Sequence, residues 1–398
     1  MSERTDIEKV RELTQSYNQP LVEFCQELVK IQSVNGKDFE REISQLVANR
    51  AKELGLSQEL IALDRDRPNV FVGTNFDQKA GLLFVAHLDT VPTGDESRWK
   101  HKPFGAEIED GKLFGRGAID CKAGIALSIY ALKILHVLGK PNIAKFAGVV
   151  DEESGADSKL GAKFLLDKGL NATAAIYTYP GVETVTIGHR GGVRLWVEAT
   201  GEADHTGSKS WQNRERGANA IEAISRFISL LPEIKMEGSH SLFPGYGFVL
   251  TPTLIEGGVG ESIVPEKAKV LIDARLLPNN NNDEYINKVT ELVKKLENQK
   301  INFNIKVKNN VPAAVIKPNE KIVKILESLD KEVMDIVPDV RGCGPWNEGY
   351  MFIRKNIPTI CGFGAEGDGV HSVDEYLKLD SLPKILEMYV RAAIELSS

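Results

Sequence analysis

The chain has 398 residues, which at roughly 150 residues per domain favours more than one domain. Hydrophobic residues make up 42% and charged residues 26%, so the composition is that of a globular protein and excludes wholesale disorder. The net charge of −7 argues against a nucleic-acid partner. No apolar run reaches the roughly 18 residues needed to cross a bilayer, so no membrane partner is expected.

The cysteines and the N-terminal residues predict a cytoplasmic protein. Cys25, Cys121, Cys343 and Cys361 contain no C-x-x-C pair and lack the density of a disulfide framework, so they fit a reducing compartment. Residues 1–10 are polar and charged with no apolar stretch behind them, so we expect no signal peptide.

The first part of the chain alternates helical patterns with short apolar runs. Amphipathic spacing predicts helices over residues 22–31 and 41–54, and the run 123–138 is apolar enough for a buried helix. Four runs have the length of buried strands: 82–86, 146–150, 174–177 and 357–363. This alternation predicts an α/β fold with a mostly parallel sheet.

The middle of the chain predicts an inserted α+β domain. Its patterns follow the order β-α-β-β-α-β, which is a split βαβ or ferredoxin-like unit. They cover residues 193–200, 218–231, 248–255, 268–276, 283–296 and 301–307. We therefore predict an insertion at 189–308 within a larger domain made of 1–188 and 309–398, to which a helix over 319–333 and the run 357–363 return.

Side chains with metal-binding chemistry follow three of the predicted strands. His87 and Asp89 come after the first strand, three acids including Glu152 and Glu153 come after the second, and His371 follows the last. Parallel strands end at a common edge of the sheet, so we expect these groups to converge there. Asp120, just before the buried helix, completes a set of imidazoles and carboxylates that suits a divalent metal, zinc above all.

Each of these features also has a structural interpretation. A lone His-x-Asp is common, consecutive acids usually form a solvated face, and an aspartate before a helix is most often a cap. Residues 362–367 fit G-x-G-x-x-G, but Glu366 and Asp368 lie where a pyrophosphate would bind, which argues against a dinucleotide site. No G-x-S-x-G elbow supports a serine hydrolase.

Six spaced motifs add a resemblance to a known family. They are VAHLDTVP at 85–92, the segment LFGRGAIDCKAG at 113–124, DEE at 151–153, DHTG at 204–207, DAR at 273–275 and HSVDE at 371–375. From about residue 21 onward, the sequence resembles the two-domain zinc exopeptidases and deacylases. That family includes succinyl-diaminopimelate desuccinylase, acetylornithine deacetylase, aminoacylase and the carboxypeptidase G type.

The resemblance implies a metal-binding role for four residues. His87 would bind a first metal, Asp120 would bridge two metals, and Glu153 and His371 would bind the second. Asp89 would orient His87.

Further roles follow from the same resemblance. Glu152 would be the general base for water, and Arg275 would bind a carboxylate of the substrate. His205 would stabilise the oxyanion, either within its own chain or across a dimer. The inserted domain would be a lid and dimerisation domain, which implies a homodimer.

Two positions depart from the family. Ser262, in the segment 261–265, stands where the family usually has asparagine. Tyr179 stands where the family usually places the remaining carboxylate of the first metal site. One or two zinc ions per chain therefore remain open, with cobalt or manganese as possible replacements. The remaining ligands favour one tightly held ion at the second site.

Together the observations predict a metal-dependent hydrolase of an amide or peptide bond. Its substrate would be an N-acyl amino acid or a short peptide carrying a carboxylate. The alternative is a catalytically inactive homologue that binds peptides without hydrolysis. Deacylase, dipeptidase and carboxypeptidase activities all remain open.

Overall fold

The computed structural model describes residues 2–236 and 238–398, and within them helices and strands alternate along most of the chain. The helices are α1 (Ser2–Ser16), α2 (Asn18–Lys30), α3 (Arg41–Glu53), α4 (Ala123–Val137), α5 (Ala162–Asp167), α6 (Lys209–Gln212), α7 (Ala220–Leu230), α8 (Asn282–Leu296), α9 (Lys321–Leu329), α10 (Gly349–Arg354) and α11 (Leu382–Ser397).

The strands are short in the first half of the chain and longest in the middle. They are β1 (Gln58–Ile61), β2 (Asn69–Val72), β3 (Ala80–His87), β4 (Glu107–Glu109), β5 (Lys112–Phe114), β6 (Ala144–Val149), β7 (Ala172–Tyr177), β8 (Thr184–His189), β9 (Gly191–Thr200), β10 (Val249–Gly257), β11 (Lys267–Leu276), β12 (Asn302–Val311), β13 (Ala314–Val315), β14 (Asp339–Cys343), β15 (Thr359–Ile360), β16 (Gly367–Asp368) and β17 (Tyr376–Lys378).

The chain divides into two compact units. The larger unit takes the chain up to His189, then Val315–Cys343 and Asn347–Ser398. The smaller unit takes Arg190–Ala314 together with Gly344–Trp346. The insertion predicted at 189–308 begins within one residue of the smaller unit and ends six residues before Ala314. That residues 344–346 belong with the smaller unit was not predicted.

A six-stranded sheet lies at the centre of the larger unit, in the order β1-β2-β6-β3-β7-β15. The strands β6, β3, β7 and β15 are parallel, as predicted, whereas β1 and β2 add an antiparallel edge. The predicted runs 82–86, 146–150 and 174–177 are confirmed as strands. The run 357–363 was too long: β15 ends at Ile360, and the backbone N–H groups of Cys361 and Phe363 then donate to the carbonyl oxygens of Thr186 and Tyr177.

Helices cover this sheet because packing against it removes their apolar side chains from water. The predicted helix α4 is buried along most of its length and packs against α11, β3 and β6. The helix α11 was not predicted, although its apolar residues also pack onto β3. The predicted helix over 319–333 ends earlier, as α9, and continues as a π-type turn over Asp330–Met334.

A second, smaller sheet of the larger unit joins two segments that carry candidate ligands. Its order is β16-β17-β5-β4. In it β17, which follows the His371 loop, pairs antiparallel with β5, which precedes the Asp120 loop. This pairing holds the two loops next to each other.

The smaller unit is built around one antiparallel sheet and the helices α7 and α8. The sheet order is β10-β11-β9-β12, and the element order is β9, α6, α7, β10, β11, α8, β12. Alternate residues of β9 and β11 are buried against α7 and α8, which produces a single apolar core. At the edge of the sheet, β10 is exposed along almost its whole length.

None of the helices that the structure describes has both the length and the apolar character required to span a bilayer.

Candidate metal and catalytic site

The sheet of the larger unit places its chemically active side chains at one edge. His87 is the last residue of β3, Glu152 and Glu153 follow the end of β6, and Tyr179 follows the end of β7. Since β3 lies between β6 and β7 and is parallel to both, the three segments leave the sheet on the same side.

A carboxylate between two imidazoles forms the centre of the site. The Asp120 Oδ1 atom lies 3.1 Å from Nε2 of His87, and its Oδ2 atom lies 3.2 Å from Nε2 of His371. The same His371 nitrogen is 3.2 Å from Oε1 of Glu153. The structure therefore brings together the four residues predicted as metal ligands, which lie in four separate parts of the sequence.

Hydrogen bonding orients the ring of His87. Its Nδ1 atom lies 2.8 Å from the backbone carbonyl oxygen of Asp89, so Nδ1 carries the proton and Nε2 faces Asp120. Burial opposes a charge on this ring, but Cys121 and Asp120 raise the pKa of His87 well above its ordinary value. For the more exposed His371, hydrogen bonds to Asp120 and Glu153 raise the pKa to about 10.

Asp89 contacts the ring of His87 through its backbone. Its carboxylate lies 3.9 Å from Nδ1 of His87, and it is the backbone carbonyl that holds the ring. The carboxylate instead accepts the backbone N–H groups of Glu152 and Glu153 and the side-chain amide of Asn35. Asp89 therefore positions the acidic turn as well as the histidine, and burial raises its pKa to about 6.

The side chain of Glu152 is buried beside this cluster and is bonded to Tyr179. The Tyr179 hydroxyl donates to Oε1 of Glu152 over 2.7 Å. Burial raises the pKa of Glu152 well above the ordinary value of a glutamate. A carboxylate with a raised pKa is a stronger base, which suits it to accept a proton from water.

Sequence reasoning missed a second buried pair of a tyrosine and a glutamate. The Tyr177 hydroxyl donates to Oε2 of Glu348 over 2.7 Å, and the rings of Tyr177 and Tyr179 are stacked. Burial raises the pKa of Glu348 to about 8. Nothing in the residues around Glu348 signals this role, because its partner is 171 positions away in the sequence.

Glu375 is a second residue whose role was missed, although it lies within the HSVDE motif. Its carboxylate accepts the backbone N–H groups of Gly117, Ile119 and Asp120 and a guanidinium N–H of Arg116. It is fully buried and thereby fixes the loop that presents Asp120. The four donors satisfy a charge that would otherwise be costly to bury.

The donor set fits a divalent metal. With Nδ1 of His87 protonated, its Nε2 lone pair faces a carboxylate oxygen, and this repulsive arrangement is relieved by a cation or a proton. Asp120, Glu153 and His371 offer oxygen and nitrogen atoms that all lie within 4.8 Å of one another. These ligand types suit zinc, and cobalt and manganese accept similar ones.

His205 lies in the smaller unit, in an exposed loop after β9. Its Nδ1 atom accepts the backbone N–H of Gly207 over 2.9 Å. A neutral ring therefore carries its proton on Nε2, which leaves this atom as a hydrogen-bond donor.

Arg275 lies near the end of β11 in the smaller unit. It donates from Nε and Nη2 to the two carboxylate oxygens of Asp273, over 2.7 and 3.3 Å. Its guanidinium carbon lies 3.9 Å from the ring centroid of Trp346, and Arg194 contacts both Trp346 and Asp273. Trp346 fits because Gly192 has no side chain: a Cβ atom there would overlap the indole ring.

Comparison with known proteins identifies the family. Residues 83–395 match the sequence pattern of the group described as Peptidase family M20/M25/M40. This range is most of the chain and contains every residue predicted above as a ligand, base or substrate-binding group.

Individual proteins agree with this match. A succinyl-diaminopimelate desuccinylase of Rickettsia bellii is 23% identical over 330 residues, covering 80% of this chain and 82% of the relative. An uncharacterized metallohydrolase of Methanocaldococcus jannaschii is 26% identical over 402 residues, covering 91% and 96%. Among solved structures, an M20 family metallo-carboxypeptidase of Sulfolobus solfataricus has a TM-score of 0.76 at 19% identity, covering 94% of this chain and 98% of that one.

Proposed function

The chain belongs to peptidase family M20/M25/M40, and from this we propose that it hydrolyses an amide bond in an N-acyl amino acid or a short peptide. As a metallohydrolase of this family, it acts on peptides or acyl amino acids. The finer proposal is that zinc is the metal and that Glu152 is the base.

One observation carries the proposal: buried Glu152 lies beside His87 and Glu153, in the cluster where the Asp120 carboxylate lies between two imidazoles. Asp120, Glu153 and His371, with His87 beside them, would hold the metal. When bound, a metal ion of this kind lowers the pKa of water and polarises a carbonyl group. Glu152 is buried beside these groups and hydrogen-bonded on one oxygen, so its second oxygen remains to accept a proton from water and return it to the leaving amine.

We assign substrate binding to residues of the smaller unit. Arg275 would bind the carboxylate of the substrate, because its contacts with Asp273 and Trp346 fix the guanidinium plane. His205 would donate from Nε2 to the oxyanion, because its Nδ1 already accepts a hydrogen bond.

We further propose a homodimer formed through the smaller unit. An edge strand exposes unpaired backbone groups that a second copy can pair with. Apolar side chains on and near β10 are exposed to an extent unusual for a monomer: Leu254 by 52%, Ile255 by 60% and Val259 by 85%. A cytoplasmic location remains our expectation, since Cys25, Cys121 and Cys361 are buried thiols that form no disulfide.

The direct test is hydrolysis of a panel of N-acylated amino acids and dipeptides. We expect turnover with added zinc, cobalt or manganese, and loss of turnover with a chelator. The members of the panel that react distinguish deacylase from dipeptidase and carboxypeptidase activity.

The alternative of an inactive peptide-binding homologue has one observation in its favour. Tyr179 occupies a ligand position expected for the family and bonds the proposed base. Binding of panel members without turnover under every metal would establish this alternative and overturn our proposal.

A further inference from the structure

The two sides of the Asp120 carboxylate differ in the ligand atoms that they offer to a metal ion. On one side, Glu153 and His371 complete a set of three ligands with Asp120. On the other side, His87 is the nearest nitrogen and contacts the second oxygen of the same carboxylate. Whether a second ion can bind beside His87 depends on what else reaches that nitrogen.

Glu153, already a ligand of the set on the first side, also lies near His87. Three further groups of the described residues approach His87, and each is occupied. The Sγ atom of Cys121 accepts the backbone N–H of His87 over 3.1 Å and lies 3.5 Å from the carbonyl oxygen of His87. Glu152 accepts the hydroxyl of Tyr179 on Oε1. Tyr179 itself has its ring centroid 5.5 Å from that of His87, but its hydroxyl points to Glu152.

We propose that this chain holds a single metal ion, on Asp120, Glu153 and His371, and that Tyr179 closes the position beside His87. A neutral phenol that donates its proton to a carboxylate offers no charge to a second cation. Three protein ligands and one open position are the usual set for a catalytic zinc ion. The inference rests on the proposed function only in taking a metal as the cofactor.

The test is the metal content of the purified full-length chain, measured by elemental analysis after dialysis against a mild chelator. We expect about one equivalent of zinc per chain in the unmodified protein and in Tyr179→Phe, and a rise toward about two in Tyr179→Glu. Tyr177→Phe is the matched control, since that phenol bonds Glu348. Two tightly held equivalents in the unmodified protein would overturn the proposal, and so would a Tyr179→Glu content that stays at one.

A second pair of variants locates the ion without relying on Tyr179. His371→Ala should fall to below about 0.1 equivalent, whereas His87→Ala should keep its ion. Circular dichroism checks that both variants are folded. Loss of the ion from His87→Ala, or its retention in His371→Ala, would place the ion on the His87 side of Asp120 and refute the assignment.

Cobalt substitution gives an independent reading. A single Co²⁺ ion yields an electron paramagnetic resonance signal that matches the cobalt content, whereas two ions bridged by one carboxylate couple and weaken it. We expect full signal in the unmodified protein and a reduced signal per cobalt in Tyr179→Glu. None of these measurements needs substrate turnover, so failure of the hydrolase proposal would be seen separately.

Discussion

Glu152 is held from two directions: its backbone N–H donates to Asp89, and its side chain accepts the hydroxyl of Tyr179. These bonds fix both the position of the carboxylate and the oxygen left for a proton. In the role of base that we propose for it, Glu152 would lose little freedom when the substrate binds, which would lower the barrier of the chemical step.

Replacing Glu152 by glutamine tests its role as the base. The amide keeps the shape of the side chain but cannot accept a proton, so the turnover number should fall by roughly 10²–10⁴. The metal content should remain unchanged, because Glu152 is not among the proposed ligands. Glu152→Asp retains a carboxylate and should keep more activity than the glutamine variant. Near-normal turnover in Glu152→Gln would remove this residue from the mechanism.

A second buried acid, Asp330, affects stability instead of activity. It lies in the turn after α9, both of its carboxylate oxygens lack a hydrogen-bond partner, and burial raises its pKa to about 7. The raised pKa means that the folded state favours the neutral acid. Its contribution to stability is therefore complete below about pH 4 and is lost as the pH rises through about 7.

Asp330→Asn should remove this loss. At pH 4.5 the variant and the unmodified protein should have similar free energies of unfolding. At pH 8.5 the free energy of unfolding of the variant should be higher by roughly 1–2 kcal/mol, after allowance for solvent screening. Denaturant titrations at the two pH values measure the difference. Asp339→Asn, at an acid whose side chain is 75% exposed, is the control. An equal effect of Asp330→Asn at both pH values would contradict the prediction.

At the scale of elements, the sequence predicted those that bury an obvious apolar pattern. The strands β3, β6 and β7 and the helix α4 were recognised because their runs are short, apolar and bounded by polar residues. Strands β1 and β2 were not predicted, because β1 is mostly exposed and β2 is too short to show a distinct alternation of apolar residues.

The candidate site could be predicted to a similar degree. Asp120, Glu153 and His371 lie next to elements that were recognised, so their convergence followed from a parallel sheet. The contacts of Glu348 and Glu375 could not be found in this way, because their partners are 171 and at least 255 positions distant. Only the folded chain shows which buried acid meets which donor.

The strand β11 and its neighbour β9 make Arg275 a fixed group. Asp273 lies two residues before Arg275 on the same face of β11 and is paired with Arg194 on β9, so one carboxylate holds both guanidinium groups. A planar guanidinium held in this way is suited to a carboxylate and poorly suited to a neutral amide.

Amidation of the carboxylate of a good substrate should therefore lower kcat/KM by roughly 10²-fold or more. Arg275→Lys should lose most of this discrimination, because an ammonium group lacks the planar fork. The measurement is kcat/KM on matched acid and amide substrates with both proteins. Equal values on acid and amide in the unmodified protein would count against Arg275 as the carboxylate-binding residue.

At the scale of the whole molecule, the exposed β10 is the surface through which we propose that two copies of the chain associate. If His205 acts across a two-fold interface, each active centre combines residues of both copies. Inactive His205→Ala and inactive Glu152→Gln proteins should then regain up to about a quarter of normal activity when mixed, since about half of the chains form mixed dimers with one complete centre each.

Subunit exchange has to be shown in the same samples, for example by native mass spectrometry of differently labelled chains. A charged substitution on β10, Ile255→Lys, should shift the sedimentation coefficient toward that of the monomer. Exchange without recovery of activity would mean that His205 acts within its own chain or not at all.

The path of the chain at Gly344–Trp346 limits how this protein can be divided. These three residues belong to the smaller unit, although the residues on both sides of them belong to the larger one. A gene fragment for residues 190–314 would therefore encode a sheet without the indole that fills the space above Gly192 and stacks on Arg194 and Arg275. The segment 190–314 is therefore incomplete as a domain. Transplantation, deletion or recombination at residues 190 and 314 would separate Arg275 from the tryptophan that holds it.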